Sequence, residues 1–189
     1  MLYLASQSPR RRQLLEQLGL RFVVLDVDVP ELHREGEPAE DYVSRVAREK
    51  AGAGLLQVAG VAGAIVLGAD TEVVLDGEVF GKPADAAAAT AMLRRLQGRR
   101  HRVISTVWLL SAGREEHATS LSDVSFAPMD EAAIAAYVAS GEPYGRAGAY
   151  AIQGAAAAHI DHLDGSFSGV MGLPLFETAN LLRRFGHPL

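Results

Sequence analysis

Residues 63–83 read GAIVLGADTEVVLDGEVFGKP, the most informative stretch in the middle of the chain. Its apolar run AIVLGA has the length and composition of a buried strand. The run is followed by EVVLDGEVF, which contains Asp76-Gly77, a dipeptide favoured in two-residue hairpin turns. Asp70 comes directly after the apolar run, and Lys82 lies just beyond the hairpin. Because the hairpin folds the chain back, we expect Asp70 and Lys82 to lie near one another.

Patterns typical of strands and of helices alternate along the rest of the chain. Strands are predicted over residues 2–5, 21–29, 101–111 and 114–129, and helices over 9–18, 39–58, 85–96, 130–140 and 175–186. Residues 159–174, HIDHLDGSFSGVMGLP, are predicted to form a further hairpin. Since strands, helices and hairpins are interspersed, the sequence indicates an α/β fold with a mixed sheet.

Length and composition narrow the class of protein. The 189 residues predict a single domain over 1–189, and 49% hydrophobic with 22% charged residues is ordinary globular composition. The net charge of −5 gives no general reason to expect a nucleic acid or a membrane as partner. The chain has no cysteine, which excludes disulfides and thiolate metal sites and fits a cytoplasmic protein. No apolar run approaches the about 20 residues that a membrane-spanning helix needs.

A cation points inward at the start of the first predicted helix, SQSPRRRQLLEQLG, residues 6–19. Arg11 completes an i, i+3, i+4, i+7 stripe with three leucines, so it is aimed at the core. Arg10 flanks this stripe, whereas Arg12 lies four residues before Glu16 and is explained by an exposed ion pair. Ser8 is placed to cap the helix, with Pro9 at its first position.

The next helix repeats this arrangement. Val43, Val46 and Ala47 form its apolar stripe, and Lys50 completes the set. A buried charge without a partner costs several kcal/mol, so such a cation needs an acid, an anion or a watery cleft. One inward cation is most simply explained by a structural acid or by a side chain that reaches the surface. Two of them, one beside a helix N-terminus with its N–H donors, favour an anion-binding cleft.

Asp70 has two interpretations. A carboxylate at the exit of a buried strand is typical of a metal ligand or a general base, and it is also common as a turn cap. Together with Lys82 and the arginine-lined helix start, it predicts a site for phosphate and a metal ion. The chain lacks the HExxH, GxGxxG, P-loop and Gly-x-Ser-x-Gly motifs. His159 and His162 are three residues apart in a predicted strand, which is a poor spacing for two ligands of one metal ion.

Five segments together resemble the Maf family of nucleoside triphosphate pyrophosphatases. They are LASQSPRRRQLLEQLGL, GADTEVVLDGEVFGKP, MLRRLQGRRHRVISTV, GEPYGRAGAYAIQG and GSFSGVMGLPL, in order from residue 4 to residue 175. The resemblance implies a fold like that of inosine triphosphate pyrophosphatases: an elongated mixed β-sheet flanked by helices, with an active-site cleft between two lobes. It also implies hydrolysis of a nucleoside triphosphate to the monophosphate and pyrophosphate with a divalent cation, Mg²⁺ or Mn²⁺.

The resemblance carries roles to individual positions. It implies that Asp70 is the catalytic acid/base and a metal ligand, and that Glu31 is an acidic position associated with metal or catalysis. The family often has two adjacent acids there, whereas this chain has Pro30-Glu31. The remaining positions implied to bind the phosphates are Ser8, Arg10, Arg11, Lys50 and Lys82. Of these, Lys50 and Lys82 are expected to be catalytic together with Asp70, because they neutralise charge as pyrophosphate leaves.

A second set of positions in the family resemblance implies which base the substrate carries. Arg10, Thr71 and Gln153 resemble the subfamily that acts on dTTP and UTP, and the branch that acts on 7-methyl-GTP differs in this set. A glutamine amide both donates and accepts a hydrogen bond, as the edge of thymine or uracil requires. A structural role for Gln153 in its loop is the alternative.

Two further hypotheses come from other classes of protein. One is a non-enzymatic nucleotide-binding regulator of septum formation, the role for which the family was named. The other is an RNA-binding module, against which net acidity and the lack of an aromatic stacking platform argue. The sequence leaves open the preferred metal, modified pyrimidine triphosphates as substrates, and the oligomeric state, including a homodimer. It also leaves open whether Asp70 acts as a base directly or through its metal.

Overall fold

The computed structural model describes residues 1–188, and strands and helices in it alternate along the chain. The strands are β1 (Leu2–Ala5), β2 (Phe22–Leu25), β3 (Ile65–Leu75), β4 (Glu78–Phe80), β5 (Arg100–Ser111), β6 (Arg114–Phe126) and β7 (Ile160–Asp164). The helices are α1 (Pro9–Gln17), α2 (Ala39–Gln57), α3 (Ala86–Leu96), α4 (Glu131–Ala139), α5 (Phe167–Met171) and α6 (Leu175–Arg184), with 3₁₀ turns at Ala147–Ala149 and Ala155–His159.

The seven strands form one mixed sheet in the order β2-β1-β3-β5-β6-β7, with β4 paired to β3. β1 runs parallel to β2 and β3, and the remaining pairs are antiparallel. The predicted α/β class with a mixed sheet is therefore confirmed. None of the helices within residues 1–188 is long and apolar enough to cross a membrane.

The hairpin between β3 and β4 turns at the predicted dipeptide. Asp76 has φ 53° and Gly77 has φ 81°, so both residues adopt the left-handed conformation of a two-residue hairpin turn. Leu75 pairs with Glu78 directly across the turn.

Asp70 lies inside β3 and not at its exit, which corrects the prediction that the strand ends before it. The strand continues beyond Asp70 because β5 supplies pairing partners from Val66 to Val74, including Thr106 opposite Asp70 and Arg102 opposite Val74. The alternation of side chains therefore fixes the face on which Asp70 lies.

Two other local predictions are wrong. β2 covers only Phe22–Leu25 of the predicted residues 21–29, because it is an edge strand that pairs with the four residues of β1 alone. The predicted hairpin over residues 159–174 is a strand followed by a helix. β7 pairs with β6 and not with the residues that follow it in the chain. Those residues form α5, which the Ser166 side chain caps by accepting a hydrogen bond from Gly169 N.

The two faces of β3 pack against different layers. Leu67, Ala69 and Val73 belong to the main core, to which α1, α3, α4 and α6 contribute. Gly68 and Asp70 point to the other face, which α2 covers. At Gly68 the helix backbone comes so close that a Cβ would lie 2.5 Å from the backbone nitrogen of Ala51. This close approach brings Lys50 of α2 to Asp70.

Candidate active site

A cleft of about 520 Å³ opens where β3, the start of α1 and the loop around residues 144–153 meet. Its volume suits a small-molecule ligand. Nine residues proposed from the sequence line this one cleft: Ser8, Arg10, Arg11, Glu31, Lys50, Asp70, Thr71, Lys82 and Gln153.

Lys50 and Asp70 form the buried centre of the cleft. Lys50 Nζ lies 2.7 Å from Asp70 Oδ1, and the two residues are 8% and 5% exposed. Lys50 Nζ also lies 2.6 Å from Glu31 Oε1, so this ammonium has two carboxylate partners. The inward direction predicted for Lys50 is confirmed.

Glu31 reaches the cleft from the connection between β2 and α2, which has no regular secondary structure. The Tyr42 hydroxyl donates to the backbone oxygen of Glu31 at 3.2 Å and anchors the segment to α2. Lys82 Nζ donates to Glu31 Oε2 at 2.6 Å. Burial by itself raises the pKa of Glu31, but Lys50 and Lys82 outweigh it and hold this pKa at about 2. Asp70 and Lys82 thus line one cleft and are linked through Glu31 and Lys50.

Arg11 points inward as its helical phase predicts, and its side chain is 11% exposed. Nε donates to the Gly172 backbone oxygen at 2.9 Å, and Nη1 donates to Ser6 Oγ at 3.2 Å. Nη2 lies 3.9 Å from Asp70 Oδ1. Burial lowers the pKa of Arg11 and the nearby Asp70 opposes this effect.

The neighbouring residues divide as predicted between the cleft and the surface. Arg12 pairs with Glu16 at 3.0 Å, and both side chains are more than half exposed. Arg10 faces the cleft. Ser8 occupies the cap position of α1, but its side chain makes no capping hydrogen bond, so that part of the prediction is wrong. The Ser8 backbone N–H donates instead to Ser6 Oγ at 3.2 Å.

Thr71 and Gln153 line the cleft from other elements. Thr71 Oγ1 shares a hydrogen bond of 2.7 Å with Ser105 Oγ, which fixes the threonine side chain against β5. Gln153 is exposed in the turn between the two 3₁₀ segments, where Gly154 N donates to the Ala151 oxygen. Its amide is therefore available to a ligand.

Two further charged residues of the cleft were missed in the sequence. Glu72 is 5% exposed and its Oε2 has no hydrogen-bond partner within residues 1–188. Burial, together with Asp70 and Glu31, raises the pKa of Glu72 well above its usual range. Its position two residues after Asp70 in a strand was a usable signal, because such residues share a face. The other missed residue, Arg146, stands alone in a glycine-rich loop, where periodicity gives no signal.

The donor set of the cleft fits a divalent cation bound together with an anion. Asp70 Oδ2 is buried without a hydrogen-bond partner among the described residues, and Glu31 lies on the other side of Lys50. Within residues 1–188 no three His, Asp or Glu side chains are arranged to hold a metal by themselves. Mg²⁺ commonly binds one or two carboxylates and completes its shell with water and phosphate oxygens.

Comparison with known proteins gives one family. The model of the family described as Maf-like protein matches residues 1–185. A protein of Xanthomonas campestris pv. campestris named dTTP/UTP pyrophosphatase is 57% identical over 98% of this chain and 99% of its own length. A protein of Xylella fastidiosa named nucleoside triphosphate pyrophosphatase is 55% identical over 98% of each chain.

Among solved structures, the Staphylococcus aureus Ham1 protein is similar with a TM-score of 0.43 and 14% identity. The similarity covers 66% of this chain and 71% of that one. At this level neither fold nor function is transferred.

Proposed function

The chain belongs to the Maf family, and on this basis we propose that it is a nucleoside triphosphate pyrophosphatase that hydrolyses dTTP and UTP. The products are the nucleoside monophosphate and pyrophosphate. The observation that carries the proposal is Asp70 Oδ2, which has no hydrogen-bond partner within residues 1–188 and is buried in a cleft where five basic side chains face three acidic ones. A free carboxylate oxygen among excess cations suits water attack on a polyanion.

The basic residues bind the phosphates. Arg11, Lys50 and Lys82 come from α1, α2 and the segment after β4, and all three line the cleft that a bound triphosphate would occupy. Lys50 and Lys82 are held by Glu31, and phosphate oxygens replace part of these contacts when the substrate binds. The cations then neutralise the charge that develops on the leaving pyrophosphate.

Asp70 accepts the proton of the attacking water. The water oxygen forms a bond to the α-phosphorus, the bond from this phosphorus to the bridging oxygen breaks, and the proton passes to Oδ2. Lys50 stays on Oδ1 and keeps the carboxylate oriented. Asp70 and Glu31 would hold Mg²⁺ or Mn²⁺, which when bound polarises phosphate oxygens and positions water.

The base is selected by a second set of residues that line the same cleft. The exposed amide of Gln153 can both donate and accept a hydrogen bond, as the O–C–N–H edge of thymine or uracil requires. Thr71 and Arg10 complete this set, as the resemblance implies. One domain over residues 1–189 is sufficient for these roles, and the family match over 1–185 supports that extent.

The test is pyrophosphate release from dTTP, UTP, other common triphosphates and 7-methyl-GTP, with Mg²⁺, with Mn²⁺ and with a chelator. We expect dTTP and UTP to be the best substrates and the chelator to stop the reaction. Asp70→Asn should lower kcat by about 100- to 10,000-fold, the range of a lost general base, while nucleotide binding is retained. Asp161→Asn is the matched control, because Asp161 is exposed on β7 outside the cleft.

Three results would contradict the proposal. Near-normal turnover by Asp70→Asn would remove Asp70 from the reaction. Binding of dTTP by the native chain without any pyrophosphate release would favour a non-enzymatic nucleotide-binding regulator, and preferred hydrolysis of 7-methyl-GTP would overturn the choice of base.

A further inference from the structure

Arg146 is a cation in the wall of the cleft that the roles above do not use. It lies partly buried in the loop between α4 and the first 3₁₀ turn, and it lines the same cavity as Asp70 and Lys82. Its Nε donates to the Glu142 backbone oxygen at 2.5 Å, and this is the one hydrogen bond of its guanidinium to residues 1–188.

The charge of Arg146 has no acidic partner among the described residues. Burial lowers the pKa of this guanidinium, and no carboxylate opposes the effect. Arg11, Lys50 and Lys82 each have an acid within 4 Å. A partly buried cation without a counter-charge is costly unless an anion reaches it. In this cleft the anion must come from the ligand.

The loop that carries Arg146 is fixed beside the phosphate-binding end. Gly148 N donates to the Gly81 oxygen at 3.2 Å, immediately before Lys82. Gly148 has φ +67°, and a Cβ there would lie 2.8 Å from Val73 Cγ2, so the loop packs directly on β3. Arg146 is two residues away from this contact.

Glu142 fixes the same loop at its other end. Its carboxylate accepts from Tyr137 Oη at 2.7 Å and from Ala155 N at 3.1 Å, while its backbone oxygen holds Arg146. One residue thus ties Arg146 to the turn that presents Gln153. The guanidinium is held by a backbone oxygen at Nε, which leaves both Nη groups to donate.

We propose that Arg146 is a further substrate-binding residue, whose two Nη groups bind phosphate oxygens of the nucleoside triphosphate in the cleft that Arg11 also lines. The inference rests on the proposed function, since it assigns one more contact to the same substrate. A guanidinium fork matches phosphate geometry, and an uncharged base would leave the charge of Arg146 unbalanced.

The variants to compare are Arg146→Gln, Arg146→Lys and the matched control Arg21→Gln. Arg21 is an exposed arginine outside the cleft. Arg146→Gln should lower kcat/KM by about 10- to 100-fold, the usual effect of losing a charged hydrogen bond. The loss should be equal for dTTP and UTP, because the phosphates are common to both. Arg146→Lys should restore part of the activity, and Arg21→Gln should behave as the native chain.

Binding of inorganic triphosphate, measured by calorimetry, separates the contact from the reaction. Arg146→Gln should weaken this binding about 10-fold or more, even if the native chain hydrolyses neither dTTP nor UTP. Failure of the proposed function and failure of this inference are therefore distinguishable. Unchanged triphosphate binding in a folded Arg146→Gln protein would overturn the inference, as would a loss confined to one of the two nucleotides.

The native chain provides a measurement that does not depend on folding of a variant. Phenylglyoxal modifies accessible arginines, and mass spectrometry of peptides reports each site. Inorganic triphosphate should protect Arg146 at least several-fold and leave Arg12 and Arg21 unprotected. Equal modification of Arg146 with and without triphosphate would contradict a phosphate contact.

Discussion

Replacing Arg11 by methionine tests whether the inward arginine serves the substrate or the fold. The side chain makes two hydrogen bonds, to the Gly172 oxygen and to Ser6 Oγ, and each such bond from a charged donor contributes about 1.5–3 kcal/mol. The charged group also loses hydration on burial, which is the main cause of its lowered pKa. An unbranched apolar side chain removes that desolvation cost while it keeps the packing.

These opposing effects predict a small change in stability. Asp70 keeps Lys50 at 2.7 Å after the substitution, so no buried carboxylate is left without a cation. We therefore expect the free energy of unfolding to change by less than about 3 kcal/mol. Turnover should fall far more, by about 100- to 1,000-fold, as when one donor to a developing oxyanion is removed.

The assay is the initial rate of pyrophosphate release from dTTP, with thermal unfolding followed by circular dichroism. Arg12→Met is the control, because Arg12 and Glu16 are 64% and 54% exposed and their pair contributes about 0.5 kcal/mol or less. The reasoning is refuted if folded Arg11→Met retains more than a tenth of the native kcat/KM. It is also refuted if Arg12→Met loses as much activity as Arg11→Met.

Two further predictions concern stability. His101 is 3% exposed and hydrogen-bonded to Tyr150, and burial lowers its pKa from 6.5 to about 4. The unfolded chain therefore binds the proton more readily, and the free energy of unfolding should fall by about 3 kcal/mol between pH 6.5 and pH 4, with no such effect at higher pH. Urea titrations should show a flatter pH dependence for His101→Gln, and parallel curves would exclude this group as the cause. Gly68→Ala should destabilise the chain by about 1–3 kcal/mol, since the Cβ would overlap Ala47 O and neighbouring backbone of α2. Gly52→Ala is the control in α2, because a Cβ at Gly52 meets nothing within 4 Å, and it should stabilise the chain by up to about 1 kcal/mol. Equal melting temperatures of Gly68→Ala and Gly52→Ala would contradict the close approach of α2 to Gly68.

Local patterns were sufficient for most elements and for the direction of the key cations. Helical phase placed Arg11 and Lys50 inward and Arg12 outward, and the structure confirms all three directions. The Asp76-Gly77 turn was also readable, because two consecutive left-handed residues have a strong compositional preference. These features depend on neighbours within a few positions along the chain.

The sequence patterns failed where pairing with a distant strand determines the local structure. The segment over residues 159–174 looked like a hairpin, but its strand found a partner in β6, and Ser166 started a helix instead of a turn. Asp70 looked like a strand end because a charged residue follows an apolar run, whereas β5 extends the strand beyond it.

Periodicity in the sequence was enough to direct two cations inward, where each needs an acid, an anion or a watery cleft, because an unpaired buried charge is costly. The identity of the partners depends on tertiary packing: Lys50 lies between Asp70 and Glu31, although Glu31 comes from a connection without periodicity. Tertiary packing also brought Arg146 to the same cleft through backbone contacts with Gly81 and Glu142. The physical reason is that periodicity fixes the direction of a side chain within its own element, whereas the neighbour in that direction depends on how distant elements pack.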